Sequence, residues 1–81
     1  MKEEILGIPT DTVFGIPSIR VVGDMTIDVI NYKGLRSCSP EEIRLNTKIG
    51  ELAICGNGLG IVEINSDGIR IEGKICRIAY A

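Results

Sequence analysis

Apolar and polar residues alternate in short runs along most of this chain, a pattern typical of β-strands that bury one face. In the run that starts at Ser18, Ile19 and Val21 share one side, while Arg20 lies on the other. Glycine, asparagine, aspartate or proline separates each run from the next and favours a turn there. The pattern predicts about eight short strands, over residues 18–22, 25–29, 35–38, 42–47, 50–55, 59–64, 68–72 and 74–80.

Short strands joined by turns of hairpin length predict an all-β fold built as an antiparallel meander. A sheet with this many aliphatic side chains should curl into a small barrel or fold over as a two-layer sandwich. We predict a single domain over residues 1–81, with a short N-terminal arm over 1–17 and β-hairpin repeats over 18–81. The predicted core consists of Ile19, Val21, Met25, Ile27, Val29, Ile43, Leu45, Leu52, Ile54, Val62, Ile64, Ile69 and Ile71.

An internal repeat accompanies this alternation, because residues 42–53 align without gaps on residues 68–79. Both segments contain an isoleucine, an arginine and an aliphatic residue in succession, and the same triplet also occurs at residues 19–21. Such self-similarity predicts a small supersecondary unit that is reused along the chain, each copy covering the apolar face of the next.

The arginine of each triplet is predicted to point away from the core. These residues are Arg20, Arg44 and Arg70. If the units stack, the guanidinium groups form a ladder that can bind carboxylates of a partner. In the alternative interpretation, which we favour, they form cross-strand ion pairs within the chain. The candidate acids for those pairs are Asp28, Glu51 and Glu72.

The last predicted strand, 74–80, is apolar on both faces. Ile75 and Ala79 share one face, and Ile78 and Tyr80 share the other. Either the strand is central in the sheet or its second face meets a partner. An exposed edge strand could also pair two copies of the chain into a homo-oligomer. The candidate partner surface therefore comprises Arg20, Arg44, Arg70, Ile78 and Tyr80.

Composition and charge exclude several classes of function. The net charge is −2, the charged residues of both signs are mixed along the chain, and the aromatic residues are one Phe and two Tyr. No basic stripe or stacking platform for a nucleic acid is present, so we expect no nucleic-acid partner. No run of about 18 apolar residues and no signal segment occurs, so we expect a soluble, intracellular chain.

No residue pattern predicts catalysis, a cofactor or a metal. The chain has no histidine, which excludes the usual nucleophile–histidine arrangements. Cys38, Cys55 and Cys76 are too far apart for a CxxC zinc site. We expect buried or half-buried free thiols, with intermolecular disulfides as the alternative. Residues 56–60 superficially resemble a phosphate-binding loop but lack its Lys-Ser/Thr ending, so we predict a hairpin loop there.

Longer stretches resemble a known family. Over about residues 14–80, the chain resembles the YabP/YqfC family of sporulation proteins. The segments that carry the resemblance are 16–23, 28–35, 39–52, 54–59 and 67–75.

The resemblance implies a small non-enzymatic protein of endospore formation. Such a protein is expected in the cytoplasm of the mother cell, near the forespore surface. Its expected partner is another sporulation protein, either a membrane-embedded protein or a component of the coat and cortex assembly. The alternative function is a small-ligand-binding β barrel. That alternative requires an interior cavity, whereas the predicted inward positions carry bulky aliphatic side chains.

Overall fold

Six antiparallel strands and no helix make up the part of the chain that the computed structural model describes, residues 15–80. The strands are β1 (Ser18–Val22), β2 (Thr26–Ile30), β3 (Tyr32–Cys38), β4 (Glu42–Thr47), β5 (Gly50–Ile64) and β6 (Gly68–Tyr80). They form one sheet in the order β1-β2-β6-β5-β4-β3. The all-β, antiparallel prediction is confirmed. The sheet is not a closed barrel, since β1 and β3 are its two ends. Residues 1–14 of the predicted arm lie outside the described residues.

The sheet folds over on itself, as the connection between β2 and β3 requires. Only Asn31 separates these two strands, although β3 lies four places beyond β2 in the strand order. Four strand spacings in a flat sheet cover about 19 Å, whereas two residues of chain reach about 7 Å. Asn31 makes the passage with φ 64°, a conformation that asparagine tolerates better than most residues. The two ends of the sheet therefore approach each other.

The two long strands, β5 and β6, belong to both halves of the folded sheet. The first half contains β1, β2, residues 68–72 of β6 and residues 60–64 of β5. The second half contains β3, β4, residues 50–55 of β5 and residues 77–80 of β6. Buried side chains of both halves belong to one hydrophobic cluster, so the core lies between them.

Residues 15–80 form six strands rather than about eight because the chain does not turn at residues 56–58 or at 73. The predicted hairpin loop at residues 56–60 is wrong: β5 passes through these residues, with irregular pairing to β6. A Cβ on Gly56 would lie 1.9 Å from the carbonyl oxygen of Lys74. Glycine is required at that position because two backbones approach closely, not because the chain reverses.

The bends of β5 and β6 are stabilised by hydrogen bonds to neighbouring turns. Irregular pairing would leave backbone N–H groups without acceptors in the middle of a sheet, and such groups rarely stay unpaired. Here carbonyl groups of the β1–β2 turn and of the β3–β4 loop accept their hydrogen bonds. In each pair below, the backbone N–H of the first residue donates to the backbone carbonyl of the second. The pairs, with their N···O distances, are Gly73 and Met25 (3.0 Å), Ile75 and Asp24 (2.7 Å), Gly56 and Glu41 (3.0 Å), and Leu59 and Pro40 (2.9 Å).

The internal repeat does not correspond to a repeated structural unit. Residues 42–53 form β4, a tight turn and the start of β5, whereas residues 68–79 lie entirely within β6. Thr47 closes the turn in the first segment, since its Oγ1 donates to the Gly50 carbonyl (2.6 Å) and accepts from the Ile49 amide (3.2 Å). The aligned residue in the second segment is Gly73, which has no side chain to make these bonds. The same apolar alternation thus serves a hairpin and a single bent strand.

Most of the predicted core is buried, and the errors lie at strand ends and irregularities. The buried members of the prediction are Ile27, Val29, Ile43, Leu45, Leu52, Ile54, Ile69 and Ile71. Ile19 is half-buried and packs against this cluster. The prediction is wrong for Val21, Met25, Val62 and Ile64, which are exposed.

These four residues are exposed for two physical reasons. Val21 and Met25 lie near the tip of the β1–β2 hairpin, and Ile64 ends β5, so alternation continues there beyond the covered part of the sheet. Val62 occupies a register shift between Ile61 and Glu63, where strict alternation fails. The prediction omitted Ala53, Leu59 and Ile75, which are buried; the last two lie at the bends.

Candidate interaction surface

Four charged residues of alternating sign form a row across the outer face of the first half. The strand register places Arg20 beside Asp28, Asp28 beside Arg70, and Arg70 beside Glu63. Their neighbours along β2 and β6, such as Ile27 and Ile71, point into the core, so the row faces away from it. We call these four residues the charged row.

The middle of the charged row is an ion pair. Arg70 Nε lies 2.7 Å from Asp28 Oδ1, and Nη2 lies 3.4 Å from Oδ2. The hydrogen bonds with Asp28, and then the charge of that carboxylate, raise the pKa of Arg70. Because the pair is open to solvent, which screens it, we expect it to orient the two side chains more than to stabilise the fold.

The two ends of the charged row have no such partner within the described part of the chain. Arg20 and Glu63 are both exposed. Among residues 15–80, no group of opposite charge lies within ion-pair distance of either side chain. Among residues 15–80, the row therefore has a cation at one end and an anion at the other that form no ion pair, on opposite sides of a neutralised pair; Glu63 interacts with Arg70 only through its charge.

Beside the charged row, the outer face has a hollow lined by both polar and apolar residues. Ile30 is 38% exposed there, and it lies next to Gly68, which has no side chain. A Cβ on Gly68 would lie 2.7 Å from the Val29 carbonyl oxygen and 2.9 Å from Ile30 Cγ2. Asn65 shapes the adjoining turn, because its Oδ1 accepts hydrogen bonds from the amides of residues 67 and 68. Together these residues and the charged row line a shallow groove.

A second set of charges lies on the second half and is satisfied internally. Arg44 contacts Glu51 through Nη1 (2.6 Å) and Glu42 through Nε (3.0 Å), and Arg36 Nε contacts Glu51 (2.8 Å). The hydrogen bond from Arg44 lowers the pKa of Glu42 and raises that of Arg44. The Cys55 thiol also lies 3.6 Å from Glu42. These groups neutralise one another, so this cluster offers little unpaired charge.

The three repeat arginines do not form one ladder. Arg20 and Arg70 flank Asp28 on one half, while Arg44 lies on the other. The favoured interpretation is therefore correct for Arg44 and Arg70 and for two of the three predicted acids, but it is wrong for Arg20, which forms no ion pair with another residue of 15–80. Asp28 pairs with Arg70, and Glu51 pairs with Arg44.

Glu72, the third predicted acid, makes no ion pair with a described residue, and Arg44 pairs with Glu42 instead. Glu42 precedes Arg44 by two positions and so shares its face of the strand, a signal that the sequence already contained.

Ile78 and Tyr80 face the same side of the sheet as the core. They lie opposite Ile54 and Leu52, which are fully buried. Ile78 is half-buried and packs against the core cluster, whereas Tyr80 is 44% exposed at the end of the strand. Within residues 15–80, the segment 77–80 pairs only with β5, so this stretch is an edge and not a central strand.

Comparison with known proteins agrees with the resemblance seen in the sequence. A family model described as the YabP family matches residues 16–81. The chain belongs to the YabP/YqfC family. It is also 36% identical over 75 residues to the uncharacterized protein YqfC of Bacillus subtilis (strain 168), an alignment that covers 93% of this chain and 81% of that protein.

Other features of this YabP/YqfC-family chain offer less chemistry. Cys55 is half-buried as predicted, but Cys38 and Cys76 are exposed, which corrects the expectation of covered thiols. Within residues 15–80, no set of three or more Cys, Asp or Glu side chains is grouped as a metal site requires. The same residues contain no helix with the length and apolarity that a membrane span needs.

Sequence reasoning missed Glu63, Ile30 and Gly68 as parts of the outer surface of this family member. The only sequence signal for Glu63 is its place between two apolar residues. Its position beside Arg70 depends on a register shift in β5, and that shift is invisible in the alternation pattern.

Proposed function

We propose that this YabP/YqfC-family chain is a non-enzymatic structural or interaction protein of endospore formation. It acts by binding another protein at the developing forespore. The observation that carries the proposal is the charged row, in which Arg20 and Glu63 form no ion pair with another residue of 15–80 and flank a neutralised pair beside the exposed Ile30. Exposed charged side chains next to a solvent-exposed isoleucine are suited to contact with another macromolecule.

The packing of the interior supports a contact role over a binding cavity. Side chains from both halves fill the space between them, and Ile27, Ile43, Leu45, Leu52 and Ile71 have no exposed surface. A small-ligand-binding barrel would need a closed sheet around an open interior, and this sheet is folded but open. A ligand screen by thermal shift separates the two functions, because a true ligand raises the melting temperature as its concentration increases.

Family membership directs the proposal to sporulation. We place the protein in the mother-cell cytoplasm near the forespore surface. Its partner there is another sporulation protein, either one embedded in a membrane or one belonging to the coat and cortex assembly. Exposed charges of both signs suit a partner with a complementary, mixed-charge face.

Deletion of the gene in its host tests the proposal. We expect a lower yield of heat-resistant spores and defects in coat or cortex. Wild-type protein should restore the yield, whereas an Arg20→Ala/Glu63→Ala double variant should not. Lys33→Ala is the matched control, since Lys33 is exposed on β3, away from the charged row. Normal heat-resistant spores after deletion would contradict the proposal.

A further inference from the structure

The charged row has a symmetry that identifies a partner for this face. Read from β1 to β5, the signs are plus, minus, plus, minus, from Arg20, Asp28, Arg70 and Glu63. Read in the opposite direction, every sign is exchanged. A second copy of the same row, reversed, therefore presents an opposite charge at each position. We infer that the outer face of the first half binds the same face of a second copy of this chain.

A two-fold axis parallel to the strands, midway between β2 and β6, produces this arrangement. The axis turns the second copy over and reverses the order of its strands. Arg20 then lies opposite Glu63 of the second copy, and Asp28 lies opposite Arg70. Each contact occurs twice, as expected of a symmetric dimer. The two side chains that lack a described partner within one chain thereby neutralise each other across the interface.

Residues on either side of the charged row are compatible with the same operation. Ile30 pairs with Gly68 in the sheet, so the axis brings Ile30 over Gly68 of the second copy. Gly68 is buried, and the Ile30 side chain of the same chain already lies over it, so the two Ile30 side chains meet near the axis. Thr26 pairs with Glu72, so the Thr26 hydroxyl meets the Glu72 carboxylate of the second copy and can donate a hydrogen bond to it. No like charges are brought together in these rows.

The other half lacks this self-complementarity. Arg44 pairs with Ala53 in the sheet, so an equivalent two-fold axis between β4 and β5 would bring Arg44 over alanine. Its charge is already neutralised by Glu42 and Glu51. The inference rests on the proposed function, because it takes the charged row as a contact surface, and it assigns that surface to a second copy of the chain instead of to another sporulation protein. Spore assays and molar-mass measurements test the two separately.

Charge reversal with rescue is the decisive experiment. The purified full-length chain is examined by sedimentation equilibrium over a range of concentrations at low ionic strength. Arg20→Glu and Glu63→Arg alone should each raise the dissociation constant of the dimer by about tenfold or more, since each replaces two attractive contacts with two repulsive ones. The double variant should recover most of the loss, because its exchanged charges again lie opposite each other. Lys33→Glu, on exposed β3, is the control and should change nothing.

The dissociation constants of the variants decide whether the charged row forms the dimer interface. Weakening by both single variants, recovery in the double variant and weaker association at higher salt support the inference. A monomer at every concentration overturns it, as does a dimer unaffected by the single variants or not recovered in the double variant. An Ile78→Lys variant tests an alternative interface at the edge of β6. If this variant dissociates the dimer and the charge-reversal variants do not, the interface lies at that edge and the inference is overturned. Urea unfolding of each variant confirms that it is folded. A monomeric protein with a spore defect would leave the proposed function intact.

Discussion

Substitution of Gly56 by alanine should severely destabilise the fold, because the bend of β5 brings two backbones together at that point. The added Cβ would lie 1.9 Å from the Lys74 carbonyl oxygen and 3.2 Å from the Ile75 Cα. The first of these distances is far inside van der Waals contact. Both neighbours are backbone atoms, so no side-chain rotation relieves the clash. The strands must separate by at least about 1 Å in a packed sheet.

The expected cost of Gly56→Ala follows from two contributions. Forcing extra atoms into a packed region costs about 1–3 kcal/mol. Moving the strand also weakens the hydrogen bond from the Gly56 amide to the Glu41 carbonyl (3.0 Å), worth about 1 kcal/mol. A loss of about 2–4 kcal/mol corresponds to a fall in melting temperature of roughly 10–30 °C for a domain of this size. This loss is a substantial fraction of the free energy of unfolding of a small domain.

Gly60→Ala provides the matched control within the same strand. A Cβ on Gly60 would meet no atom within 4 Å, and its φ is not left-handed. We expect its stability to lie within about 0.5 kcal/mol of the wild type. Urea unfolding followed by circular dichroism, at one fixed protein concentration, gives both values. If Gly56→Ala proves as stable as Gly60→Ala, the close approach of β5 and β6 is refuted.

Two further predictions concern the core and the acid sensitivity of the fold. Ile71→Ala should cost about 2–5 kcal/mol of unfolding free energy, because Ile71 is fully buried and its truncation leaves a cavity; urea unfolding measures the loss, and a cost below that of Val22→Ala on the exposed surface would contradict the assigned core. The hydrogen bond from Arg44 lowers the pKa of Glu42 in the folded state below its ordinary value of 4.5, so the carboxylate stabilises the fold above about pH 4.5 and loses this effect as pH falls through the folded pKa. The urea midpoint should therefore decrease on acidification, and Glu42→Gln should decrease less; equal slopes would contradict the pairing.

Strand positions and most of the core could be predicted because they depend on local alternation. The predicted bounds of β1 and β4 coincide with the observed strands, and Ile43 and Leu45 are buried as alternation requires. Alternation does not determine how far a strand is covered by its neighbours or where its pairing with them shifts. Val62 follows the apolar pattern but is 54% exposed, since a register shift turns it out of the sheet.

Turns were harder to predict because glycine serves two purposes in this chain. In Gly56-Asn57-Gly58, the composition favours a hairpin, yet the chain bends without reversing and continues into the rest of β5. The choice depends on distant backbone groups. The Glu41 carbonyl accepts the Gly56 amide, and the Pro40 carbonyl accepts the Leu59 amide. No window of sequence around Gly56 contains that information.

The charged row could be predicted only in part, for a related reason. The outward direction of Arg20 and Arg70 follows from the isoleucines beside them. The acid that each would meet depends on the register of strands that are remote in sequence. Asp28 and Arg70 are 42 residues apart. Outward direction is thus a local property, whereas charge pairing belongs to the assembled sheet.

The bends and the charged row are mechanically connected, which links the fold to the proposed contact. The β1–β2 hairpin supplies Arg20 and Asp28, and its turn also accepts the hydrogen bonds of Gly73 and Ile75 at the bend of β6. An ion pair between Lys74 and Asp24 adds to this attachment. The hairpin is therefore fixed to β6 at the bend as well as along the sheet. Such attachment keeps Arg20, Asp28 and Arg70 at constant spacing, which a face must have if its charges are to meet those of a second copy in register.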